Sequence, residues 1–166
     1  MITKILTADN SETFLNEQVG ECYHSLKGAA EEATQKYVIP CKIKELAKTG
    51  RIRILDVCFG LGYNSAMAIS AALQENPDCE IEVVGLEYDP EIISRIQDVD
   101  PPIAFYQHYK QLTPQSLEFT QGNVVVKVIL GDGRETCKQL PDDYFDAIFF
   151  DPFSPIRFGA SNKRSF

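Results

Sequence analysis

Arg51-Ile52-Arg53-Ile54-Leu55-Asp56-Val57, followed by Cys58-Phe59-Gly60-Leu61-Gly62-Tyr63-Asn64, decides how the rest of this chain is read. The first seven residues are rich in β-branched and apolar types and predict a strand. Asn64 to Gln74, rich in Ala, Met, Ile and Leu, predicts the helix that follows. Between them, Gly60 and Gly62 allow a tight turn and leave room for a ligand against the backbone. The helix start offers unpaired N–H groups to an anionic group. A strand, a glycine turn and a helix N-terminus are what a nucleotide-type ligand needs, although a glycine turn alone is a weak signal.

Downstream the same alternation repeats. Glu80 to Glu87 reads as a second strand, and Asp89-Pro90 supplies an N-cap and a first-turn proline for a helix over Glu91 to Gln97. Asp100-Pro101-Pro102 breaks that helix, and 103–119 reads as a partly helical connection. Val124 to Leu130 is a third strand, with a short helix through Leu140 after Gly131-Asp132-Gly133-Arg134. Phe145 to Phe150 is a fourth, ending in Asp151-Pro152-Phe153-Ser154-Pro155. Strands alternating with helices predict an α/β fold, a parallel sheet with helices on both faces. Upstream, Ile2 to Thr7 and Glu12 to Leu15 flank the turn-forming Ala8-Asp9-Asn10-Ser11 and read as a β-hairpin. A helix from Gly28 to Ile39, closed by Pro40, and a shorter one from Cys41 to Lys48 complete the N-terminal part.

With 166 residues, one domain is expected: 1–50 as hairpin and helices, 51–155 as the ligand-binding core, and 156–166 as a tail. A composition of 44% hydrophobic and 24% charged residues is that of an ordinary globular protein. No apolar run approaches a membrane span, and the N-terminus lacks the features of a signal peptide. The five cysteines are scattered without a CxxC pair, so neither a disulfide framework nor a metal site is expected, and a reducing cytoplasm is. A net charge of −8 argues against general affinity for nucleic acid. The basic run Lys42, Lys44, Lys48, Arg51 and Arg53 reads as a solvated face rather than a phosphate-binding patch.

Ligands of open parallel sheets bind at the carboxyl ends of the strands. Here every such end carries an acid: Asp56, Glu87, Asp132 and Asp151. Glu87 ends the second strand, where an acid accepts both hydroxyls of a ribose. That arrangement is shared by NAD and S-adenosylmethionine, so the later strand ends must decide. Asp132 can accept from an adenine amino group, cap the helix after it, or both. Asp151-Pro152-Phe153 joins an acid and a carbonyl to an aromatic ring, suited to an amine nucleophile beside a sulfonium. The later strand ends sharpen the expected ligand to S-adenosylmethionine.

At these residues the chain resembles a known family. Thr7-Ala8-Asp9-Asn10-Ser11, Tyr23-His24-Ser25 with Gly28-Ala29 and Glu32, Phe59-Gly60-Leu61-Gly62-Tyr63-Asn64, Glu87, Gly131-Asp132 and Asp151-Pro152-Phe153-Ser154-Pro155 look like the methyltransferase domain of the MnmC type. The resemblance implies a Rossmann-like class I fold and S-adenosylmethionine as cofactor. It also implies methylation of the aminomethyl group of a modified wobble uridine, so that tRNA is the partner, in a stand-alone form without the oxidase domain. Carried over by motif, Tyr23, Ser25, Gly28 and Glu32 line the cofactor pocket, together with Asp56, Gly60, Gly62 and Asn64 at the methionine end. Glu87 holds the ribose and Asp132 the adenine, while Asp151, with Pro152 and Phe153, faces the methyl and the amine. Asp151 is the expected catalytic residue. Cys58, Asn10 and Pro152 depart from the family pattern, and the tail after Pro155 does not follow it, so the family's C-terminal strands are expected to be missing.

Two rival readings remain. One is an aminopropyltransferase of the spermidine-synthase type; the other is a truncated, non-catalytic paralogue that only binds the cofactor. His24 reads as a loop-pinning residue more readily than as a base or substrate contact. Cys58, with no histidine partner in its motif, reads as a small buried filler.

Overall fold

The computed structural model of the chain describes residues 2–17, 20–24 and 28–153. Ile2–Leu6 (β1) and Glu12–Asn16 (β2) pair antiparallel, as the hairpin reading requires. Asn10 adopts the left-handed conformation at the turn, φ 63°, which asparagine tolerates better than most residues. A two-residue strand, Glu21–Cys22 (β3), extends the hairpin to three strands. Two residues are too few to show an alternation, so the sequence did not announce it.

The hairpin turn also starts the first helix. Ala29–Ala33 (α1) has Gly28 as its N-cap and no cap bond from that position. Asp9 Oδ2 accepts from Ala30 N at 3.2 Å and Ser11 Oγ from Ala29 N at 3.1 Å, so the cap comes from the turn instead. Burial would raise the Asp9 carboxyl, but hydrogen bonds from Ser11 and Thr7 outweigh it and hold the group down at about 2. The helix continues as a π turn, Thr34–Val38, and Ile43–Ala47 (α2) follows.

Arg51–Val57 (β4), Tyr63–Glu75 (α3) and Glu80–Glu87 (β5) form the strand, helix, strand unit, the strands at the expected boundaries and the helix one residue longer at each end. Pro90–Ser94 (α4) is capped by Asp89, which accepts from Glu91 N. Glu118–Gln121 (β6), Val124–Leu130 (β7), Gly133–Thr136 (α5) and Ala147–Phe150 (β8) complete the described strands and α-helices, and 3-10 turns span Arg95–Asp98, Tyr106–Gln111 and Cys137–Gln139. The sheet order is β6-β7-β5-β4-β8. β4, β5, β7 and β8 run parallel, whereas β6 pairs antiparallel with β7. The four strands read from the sequence run parallel as expected, and β6 adds an antiparallel edge that makes the sheet mixed. Part of the segment read as a connection is a strand, joined to β7 through Gly122 in a left-handed conformation (φ 57°).

One face of the sheet, with Ile52, Ile54, Val83, Val126 and Phe149, packs into the main core with α1, α3 and the tyrosines Tyr63, Tyr106 and Tyr109. Helices cover the other face more thinly: Leu55, Val84 and Leu86 meet Ile129, Leu140 and Phe145 beside α5. Edge strand β8 alternates, with Ala147 and Phe149 buried and Ile148 and Phe150 exposed. Among the described residues no helix is long and apolar enough to cross a membrane.

Candidate active site

The strand order reverses at β4: the chain moves outward through β5 and β7 on one side and returns to β8 on the other. Such a switch opens a crevice at the carboxyl ends of the two strands flanking it. Asp151, directly after β8, and the turn after β4 face that crevice. Asp151 Oδ2 accepts from Asn64 Nδ2 at 3.2 Å, and its backbone N donates to Val57 O at 3.3 Å.

The turn itself is shaped by glycine where side chains cannot fit. Gly62 has φ 75°, and a Cβ there would lie 2.6 Å from Tyr109 and 2.8 Å from Phe59. Gly85 of β5 lies under the Phe59 ring, which a Cβ would strike. Gly60 differs: at φ 57° its Cβ position has nothing nearer than Tyr23 Cδ1 at 3.7 Å, with His24 Nε2 at 4.0 Å. Gly62 thus serves packing, whereas at Gly60 a Cβ would only touch Tyr23, Cys58 O and His24 at ordinary contact distance, so its backbone conformation is the reason for glycine there. Cys58 also adopts a left-handed conformation, φ 64°, where glycine would be unstrained; the cost is about 1–2 kcal/mol. Burial, with Glu87, Asp56 and Asp151 adding, pushes its thiol up to about 12, so it is protonated and a poor nucleophile.

Glu87 is 7% exposed. Its Oε2 accepts from Gly60 N at 2.7 Å and its Oε1 from Tyr88 N and Asp89 N, both at 2.8 Å. Burial raises this carboxyl despite the three donors. Each carboxylate oxygen has more than one lone-pair site, so the group can also accept from a ligand hydroxyl. Asp56 lies deeper, with no exposed surface and no well-formed hydrogen bond to either oxygen among the described residues. Burial pushes it up to about 8, Asp151 and Glu87 adding and the nearby Ser65 opposing. Asp132 caps α5 by accepting from Arg134 N at 3.0 Å and forms an ion pair with the Arg134 guanidinium. Those hydrogen bonds hold its carboxyl at about 2.

A cleft of about 500 Å³ lies between the N-terminal sheet and the end of β8. It brings together Tyr23, Glu32, Asp151, Pro152 and Phe153 from the sequence-derived set, along with His24 and Lys36. The Tyr23 ring meets Phe153 edge-on at 5.0 Å, and its hydroxyl donates to Asp89 Oδ2 at 3.2 Å. Lys36 Nζ lies 2.6 Å from Glu32 and 3.8 Å from Asp151, a cation between two acids that the sequence reading did not select. Lys36 and Asp151 are distant in sequence and meet only through the fold. Tyr37, next along the π turn, donates to Phe150 O at 3.0 Å and fixes the strand end from which Asp151 projects.

His24 is 6% exposed, its ring stacked on Tyr63 at 4.6 Å and its backbone N donating to Thr13 Oγ1 at 3.0 Å. These contacts pin the loop as expected. Yet Nε2 is buried with no hydrogen-bond partner among the described residues, a state that costs about 1–3 kcal/mol. Gly28 is held against Asp9 rather than at the cleft. Ser25, expected to line the cofactor pocket, lies outside the described residues. The basic run is elsewhere: Arg51 and Arg53 start β4, at the opposite end of the sheet, and Arg53 packs its guanidinium over the Tyr144 ring at 4.3 Å. Among the described residues no group of His, Cys, Asp and Glu is arranged to hold a metal ion.

A glycine turn bonded to a buried acid at the end of the next strand, an imidazole nitrogen unpartnered among the described residues and a carboxylate beside an aromatic pair fit a nucleoside-bearing cofactor and a polar nucleophile. Residues 102–160 match a family of S-adenosyl-L-methionine-dependent methyltransferases. The chain is 31% identical over 157 residues to an uncharacterized protein of Methanocaldococcus jannaschii, covering 91% of this chain and 41% of that one. It is 26% identical over 172 residues to the tRNA 5-methylaminomethyl-2-thiouridine biosynthesis bifunctional protein MnmC of Paraburkholderia phytofirmans, covering 95% of this chain and 26% of that one. The chain thus spans less than half the length of these relatives. The crystal structure of MNMC2 from Aquifex aeolicus superposes with a TM-score of 0.79 at 35% identity, over 93% of this chain and 50% of that one.

Proposed function

The chain belongs to the S-adenosylmethionine-dependent methyltransferases, with a domain of the MnmC type, and from that premise we propose that it methylates an amine carried on tRNA. The acceptor in this reading is the aminomethyl group of a modified wobble uridine, and residues 1–166 work as one domain. The observation that carries it is the position of Asp151: at the strand-order switch, hydrogen-bonded to Asn64, in a cleft with Tyr23 and Phe153.

S-adenosylmethionine, when bound, supplies an electrophilic methyl group. Glu87 would hold the ribose hydroxyls, and Gly60 would leave its backbone close to the methionine end. Asp132 would meet the adenine side while still capping α5. Tyr23 and Phe153 would exclude water beside the reacting centre, and Asp151 would orient the amine and accept its proton. Most of the rate would come from positioning, worth several kcal/mol of barrier, about 7–11 at best.

Calorimetry with S-adenosylmethionine, run beside a methyl-transfer assay on tRNA bearing the aminomethyl modification, tests the reading. Binding and transfer together are the expected result. Binding without transfer would favour the non-catalytic paralogue, and preference for decarboxylated S-adenosylmethionine would favour the aminopropyltransferase.

A further inference from the structure

We propose that His24 Nε2 is a hydrogen-bond acceptor that, together with Asp151, seats the amine nucleophile; this rests on the methyltransferase reading above and adds a residue to its substrate side. His24 is nearly fully buried, and Nε2 is one of the few buried side-chain polar atoms left without a partner among the described residues. The ring cannot easily turn away to find one, because it stacks on Tyr63 at 18° between planes and the backbone is tied to Thr13. His24 lines the cleft with Asp151, and its Nε2 lies 4.0 Å from where a Cβ on Gly60 would stand.

The charge around it selects the ligand. The groups acting on His24 are Asp151, Glu32 and Lys36. Burial holds the imidazole down at about 4, the two acids opposing and Lys36 adding, so the ring is neutral at physiological pH. A neutral imidazole offers one acceptor nitrogen, and a carboxylate offers only acceptors. The pair therefore suits a ligand rich in N–H donors, and an ammonium has three on one atom. Asp151 takes one and His24 Nε2 another, which fixes the nitrogen by two points. For transfer, a proton leaves the ammonium for Asp151, and the lone pair it uncovers forms the C–N bond. The donor's C–S bond breaks with its electron pair kept on sulfur, and the positive charge ends on the methylated nitrogen.

The test uses the full chain saturated with S-adenosylhomocysteine, with 5-aminomethyluridine as the amine probe, read by ¹⁵N NMR of the His24 imidazole. The wild-type Nε2 resonance is expected to move on titration. His24→Phe keeps a ring on Tyr63 without the nitrogen and should weaken the probe at least tenfold, while S-adenosylhomocysteine affinity changes less than threefold. His24→Asn should recover part of the loss. An Nε2 resonance that does not move, or an H24F variant that binds the probe as tightly as wild type, overturns the proposal. So does an H24F variant with unchanged melting temperature that loses S-adenosylhomocysteine, since the nitrogen then serves the cofactor. Should H24F fail to fold, the wild-type resonance decides alone. A wild type that binds no S-adenosylhomocysteine overturns the methyltransferase reading itself, and the proposal with it.

Discussion

Gly60 donates its backbone N–H to Glu87 Oε2 at 2.7 Å, which makes the turn after β4 and the acid at the end of β5 one hydrogen-bonded unit. The shape of the turn and the charge of the acid cannot be altered separately. Glu87→Ala would strand the amides of Gly60, Tyr88 and Asp89. We expect a loss of about 2–4 kcal/mol in denaturant unfolding and at least tenfold weaker S-adenosylmethionine binding by calorimetry. Unchanged binding would remove Glu87 from the ribose.

Asp151→Asn preserves the shape of the side chain and removes its charge and basicity. Methyl transfer should fall by about 10²–10⁴, while S-adenosylmethionine affinity stays within roughly threefold on the positioning argument above. Steady-state kinetics beside calorimetry reads the two separately. Full turnover in the variant would contradict the assignment of proton acceptance to this residue.

Cys58→Gly should stabilise the chain by up to about 1–2 kcal/mol through relief of the left-handed strain, offset in part by the greater freedom glycine gives the unfolded chain. The backbone there already has φ 64°. Thermal melts of the two proteins at one pH check this, and a lower melting temperature for the variant would show that the thiol's packing outweighs its backbone strain.

Asp56 sets a pH dependence. Its folded carboxyl is raised to about 8, against an unfolded value near 3.8. Between those values the folded state holds a proton that the unfolded state has released. Stability should therefore fall as pH rises across this window, by at most about 1.4 kcal/mol per pH unit from this group. Below pH 4 both states are protonated and the effect vanishes. Asp56→Asn should flatten the decline, raising the melting temperature at pH 8 relative to wild type and changing it little at pH 4.

The strand, turn and helix from Arg51 to Glu75 were legible because β-branched residues run up to two glycines and an alanine-rich helix follows. Val124 to Leu130 was as clear, for the same reason. Glu118-Phe119-Thr120-Gln121 was not: it has a single buried residue, and its strand conformation is set by pairing with β7. In the cleft, Asp151 could be found because ligands of a parallel sheet bind at the carboxyl ends of its strands. Lys36 could not, since an exposed-looking lysine in a helix reads as solvated until β8 brings Asp151 within 3.8 Å. The Asp9 turn was seen as a turn, but its second task, capping α1, depends on a contact 21 residues away.

The bond from Tyr37 to Phe150 O spans 113 residues, and the cleft it supports is walled by the chain's early and late segments alike. Closing so large a loop carries an entropic cost that only later contacts repay. The β4–β5–β7 ladder can form from neighbouring segments first, so the cleft beside Asp151 is expected to be the last region to organise during folding. On a ribosome, Tyr37 would be made long before the strand whose end it holds, since β8 follows the β4, β5 and β7 segments in the chain.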